Sequence, residues 1–185
     1  MNPQIFILQI AILLTALPAV AQSQELPRTK IEGILGTYAN TVGCDFSMDK
    51  KNIVEMDIEG NEEKEFIALF INDDGCSGGS GSVTSNLAVL AQHDEEPDKG
   101  SIYVRPEMTV PVASGIGLPR FIDRIFIKDG YLWFAGRVHA DKDGSNFPTI
   151  PVQAQIQLLK SEVKLDEKNK RTIYYWKSTK DFQDK

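Results

Sequence analysis

At 185 residues, with 42% hydrophobic and 25% charged side chains, the chain is long enough for one ordinary core and too apolar for wholesale disorder. A net charge of −6 at pH 7 excludes the basic surface that non-specific nucleic-acid binding needs. Two cysteines are too few for a scaffold built on disulfides.

Residues 1–21 carry no charged side chain, and Ile5 to Leu17 is apolar except at Gln9 and Thr15. Ala19-Val20-Ala21 is a small-x-small cleavage pattern followed by polar Gln22-Ser23-Gln24. This reads as a secretory signal peptide, because Pro18 ends the run short of the roughly 20 apolar residues a spanning helix needs. The expectation is one domain over 22–185, periplasmic or secreted, with no transmembrane anchor after cleavage.

Ile31, Ile34, Leu35 and Tyr38 recur at helical spacing, so a helix is predicted over Leu26 to Ala39, packed on a sheet. Pro27 suits its first turn and Gly43 stands just past its end. Cys44 follows, and in an oxidising compartment its simplest fate is a disulfide with Cys76, the only other cysteine. Strands are predicted at Ile53 to Ile58, Phe66 to Ile71, Leu87 to Ala91, Ile102 to Arg105, Phe121 to Lys128, Tyr131 to His139, Val152 to Leu158 and Thr172 to Trp176. Phe66 to Ile71 is continuously apolar, as in a central strand covered on both faces. Val152, Ala154, Ile156 and Leu158 alternate with three glutamines, giving one wet face. The fold class is therefore α+β: a single domain with one N-terminal helix on a mainly antiparallel sheet of about seven strands.

The stretch from Asp57 to Glu65, before an apolar strand, resembles the acidic loop of FG-GAP or VCBS-like calcium-binding repeats. Asp57, Glu59, Asn61 and Glu65 match its oxygen-ligand positions, and the resemblance implies a Ca²⁺ site. The alternative is a charged hairpin turn with no cofactor. In layout, the chain resembles small exported bacterial proteins carrying degenerate loops of this kind, and that resemblance implies no reaction. A second oxygen-rich stretch, Asp141 to Asn146, reads as a polar turn.

Asp129-Gly130 is a two-residue hairpin signal that pairs Lys128 with Tyr131 and, further in, Arg124 with Ala135. One face of the hairpin then holds Phe121, Ile125, Ile127, Leu132, Phe134 and Val138 as core. Asp123 falls on this face opposite Gly136, where a carboxylate needs a backbone or arginine partner. The other face carries Arg120, Arg124, Phe126, Trp133 and Arg137. The first expectation is that the N-terminal helix covers it, with Glu32 near an arginine. The second is that it binds a protein partner.

Segment 42–100 holds 14 Asp/Glu against 4 Lys/Arg, and 159–185 holds 8 Lys/Arg against 5 Asp/Glu. No acid, base and nucleophile set stands out. The function expected is a binding or interaction module, such as a periplasmic inhibitor, an immunity-like protein or an envelope accessory factor. The alternative is a small secreted hydrolase using Ser77 or Asp123 with His93 or His139.

Overall fold

The computed structural model describes residues 25–60, 64–73, 75–76, 83–93, 99–112, 115–144, 147–164 and 169–182. The expected signal segment, 1–21, and the candidate site residues Asn61 and Ser77 lie outside them. The apolar run organises the molecule. It lies in β3 (Glu65–Asp73), which pairs along its whole length with β4 (Val83–Gln92). Side chains alternate across a strand, so a run apolar at every position must be covered on both sides. Phe66, Ala68 and Phe70, with Ala88 and Leu90 of β4, meet Ile31, Leu35 and Ala39 of helix α1 (Glu25–Val42). Ile67, Leu69, Leu87 and Val89 face the other way, onto a second sheet.

The first sheet also holds β1 (Cys44–Ser47), β2 (Ile53–Glu55), β5 (Ile102–Val104) and β6 (Val110–Pro111). Its order is β1-β3-β4-β5, with β2 against β3 and β6 against β4. The second sheet runs β10 (Lys170–Ser178), β9 (Ile150–Lys164), β8 (Tyr131–Val138), β7 (Phe121–Lys128), and all its pairs are antiparallel. Ile122, Ile125, Leu132, Phe134, Ala154, Ile156 and Trp176 form its inner face and close the larger core. The molecule is thus one domain in three layers, helix on sheet on sheet.

This corrects the expectation of a single sheet of about seven strands: ten strands form two sheets. The two strands missed, β1 and β6, have 4 and 2 residues and carry no periodic pattern of their own. Pairing with β3 and β4 makes them strands. The Cys44–Cys76 disulfide is present, with Cα atoms 5.2 Å apart, and ties β1 to the chain beyond β3. Among the described residues no helix is long and apolar enough to cross a membrane.

Candidate functional site

The β7–β8 hairpin turns at Asp129 (φ 53°) and Gly130 (φ 78°), the pair of left-handed residues that a type I′ turn needs. Its register runs as predicted from Lys128↔Tyr131 to Arg124↔Ala135. Beyond that, β7 bulges between Ile122 and Arg124, so Asp123 is an extra residue. Three expectations are corrected here, the first two by the bulge. Ile122, 5% exposed, takes the core position expected of Phe121. Asp123 leaves the apolar face and is exposed, and both its oxygens accept hydrogen bonds from Arg137, at 2.8 and 3.1 Å. Ile127, at the hairpin end, is 40% exposed rather than core.

Two residues make the bulge fit. The buried Asn52 side chain accepts from the Ile125 N–H (3.2 Å) and donates to the Asp123 carbonyl (3.2 Å), satisfying backbone groups the bulge frees. Opposite, Gly136 admits the displaced strand, since a Cβ there would stand 3.2 Å from Ile122 Cα and nearer still to the Phe121 carbonyl.

The outer face of the second sheet is built on this frame. Helix α1 packs against β1, β5 and the short turn Lys50–Asn52, on the far side of the first sheet. Glu32 pairs with Lys50 (3.0 Å), not with an arginine of β7 or β8. The expected cover of the cation–aromatic face by this helix is therefore corrected: the helix's apolar stripe is spent on the other sheet.

On the face itself Arg124 lies over Phe126 (5.2 Å), Lys128 over Trp133 (5.0 Å) and Arg120 over Phe121 (5.2 Å). Such contacts hold long cationic side chains against the sheet. Ala135, small between Trp133 and Arg137, leaves a shallow hollow of about 410 Å³ framed by Arg124, Arg137, Pro151 and Gln153. The bidentate pair with Asp123 holds Arg137 in place and raises its pKa above the usual arginine value. The Trp133 indole N–H is buried and has no acceptor among the described residues. The structure thus brings Arg124, Phe126, Trp133 and Arg137 onto one face, with Arg120 at its β7 end.

In the acidic loop, the described carboxylates have partners within the protein. Glu65 is fully buried; one oxygen accepts from the Ile58 N–H (2.7 Å) and the other from Arg105 (2.9 Å). Arg105 also binds Glu59 (2.7 Å) and Glu107 (3.1 Å). Asp57 accepts from the Gly60 N–H (2.6 Å). Glu59 and Glu65 thus converge on a guanidinium, and among the described residues no group of three or more acidic, histidine or cysteine side chains is placed to hold a metal ion. Arg105 escaped the sequence reading, although it is the only cation between 100 and 119 in a chain rich in acid just before it.

Of the hydrolase residues, Asp123 is engaged by Arg137. His93 stacks on Tyr103 (4.3 Å) and His139 meets Phe121 edge-on (5.9 Å). The segment from Asp141 is a turn pinned by Asp143, which accepts from Ala140 N–H (2.7 Å), Thr149 N–H (2.8 Å) and the Thr149 hydroxyl (3.0 Å). No family model, curated protein or solved structure matches the chain.

Proposed function

We propose that the protein is an exported binding module, working in the periplasm or outside the cell, that engages a protein partner through the outer face of its four-stranded sheet. The observation that carries this reading is the location of α1: the only α-helix among the described residues packs on the other sheet and leaves the face of exposed Arg124 and Arg137 and half-buried Phe126 and Trp133 without a helix over it. Aromatic and arginine side chains anchored on a rigid sheet lose little conformational freedom on binding, and such residues dominate interface energetics. A secretory leader, a disulfide and the lack of a membrane-crossing helix among the described residues are compatible with export.

The test is capture from an envelope extract, followed by calorimetry on the protein captured. Arg124→Glu with Trp133→Ala should weaken binding by at least ~2 kcal/mol, roughly thirtyfold, while circular dichroism stays unchanged. Equal affinity in the folded double variant would exclude this face.

A further inference from the structure

A second surface comes from a mismatch in strand length. β9 runs from Ile150 to Lys164, but its ladder with β8 ends at Gln155↔Trp133. On its other side β9 stays paired with β10 as far as Lys164↔Lys170. From Ile156 to Lys164, therefore, one backbone edge of β9 is paired with no strand among the described residues. In an antiparallel pair every second residue turns its N–H and C=O away from its neighbour, so this edge presents a row of donors and acceptors.

Where β8 and β9 part, the layer between the sheets opens. A cleft of about 210 Å³ is lined by Met56, Ile58, Leu132, Ile156, Leu158 and Trp176. A second hollow, of about 310 Å³, shares Ile58 and Leu158 and reaches Lys160 and Tyr174; the acidic residues at these hollows are engaged within the protein, Glu59 by Arg105 (2.7 Å) and Asp57 by the Gly60 N–H (2.6 Å). Trp176 is 1% exposed, yet its indole N–H has no acceptor among the described residues. Leu158, Lys160, Glu162 and Lys164 alternate onto the cleft side of the strand. Glu162 is neutralised by Lys170 (2.9 Å), which leaves Lys160 and Lys164 along the lane with no ion pair among the described residues.

From this we infer that β9 is a docking edge for an extended acidic peptide segment of a partner, which adds as a strand in the lane that β8 vacates. Its backbone pairs with Ile156 to Lys164, a large apolar side chain fills the cleft beside Trp176, and carboxylates on the same face meet Lys160 and Lys164. Strand addition suits the edge because an extended backbone matches a row of alternating donors and acceptors in spacing and direction. An acidic segment suits it because the cations flank the apolar cleft on one face. This surface is separate from the outer face, and its success or failure is read independently.

The probe is a nine-residue peptide alternating aspartate with leucine and phenylalanine, added to the full chain carrying Trp133→Phe. Trp176 is then the only tryptophan and reports on the cleft. The expected result is saturable change in its emission, with protection of alternate amides between Ile156 and Lys164 from hydrogen exchange. Lys160→Glu with Lys164→Glu should weaken the affinity about tenfold, with the circular dichroism unchanged because both side chains are exposed. The same peptide N-methylated at alternate residues keeps its side chains and charge but cannot complete the ladder, and should not bind. Equal binding of the methylated peptide, no binding of the parent peptide, or protection in the free chain of those amides between Ile156 and Lys164 that point away from β10 would each overturn the inference.

Discussion

Arg105 shows how much one side chain can organise. Its burial opposes the charge, but hydrogen bonds to Glu59 and Glu107 outweigh that and hold its pKa above the usual arginine value. It also supplies the cation for Glu65, a carboxylate with no exposed surface. Removing one partner of a buried pair leaves an uncompensated charge, so Arg105→Met should cost about 3–5 kcal/mol in urea unfolding. Arg105→Met with Glu65→Gln should recover part of that loss, because the uncompensated carboxylate is then gone. Asp143 offers a pH test of the same kind. The hydrogen bond from Ala140 N–H is the main cause of a pKa below the usual aspartate value, with Thr149 and His139 adding to it against partial desolvation. A carboxylate lowered in the folded state stabilises its turn above the ordinary aspartate range and loses that effect as pH falls through the lowered value. Amide shifts of Ala140 and Thr149 should therefore move together on acidification, and Asp143→Asn should show those shifts already at neutral pH.

At the scale of elements, the β7 bulge decides which residues meet solvent. The hairpin register was legible in the sequence because Asp129-Gly130 sets it. The bulge was not, because it depends on Asn52, 71 residues before Asp123 in the chain. Once it forms, Ile122 enters the core, Asp123 turns out to Arg137, and the frame of the outer hollow is set. Asn52→Ala would leave the Ile125 N–H and the Asp123 carbonyl without those bonds, at about 1–3 kcal/mol for buried polar groups. Amide exchange at Ile125 should rise in that variant by more than at Phe134, in the unbulged part of the partner strand.

For the whole molecule, the Cys44–Cys76 bridge closes a loop of sequence separation 32 and ties the first sheet's edge strand to the chain after its centre. By the chain-entropy argument it contributes about 3–4 kcal/mol, so Cys44→Ser with Cys76→Ser should lower the urea midpoint by a corresponding amount without changing the sheet signal in circular dichroism. The bridge was expected because the chain has only one pairing of its two cysteines, a matter of counting. The central strand, the amphipathic helix, the Asp129-Gly130 hairpin and the alternating glutamines of β9 were likewise settled by local pattern, since each is dictated by periodicity or turn chemistry within a short window. What the tertiary structure alone decided were relations between distant segments. These are the division of the strands into two sheets, the choice of the first sheet as the helix's partner, Arg105 as the partner of Glu59 and Glu65, and the length by which β9 outruns β8. The physical reason is common to all four. A short window specifies which face of an element is apolar, but which other apolar face covers it, and which charge neutralises it, depends on packing between residues far apart in the chain.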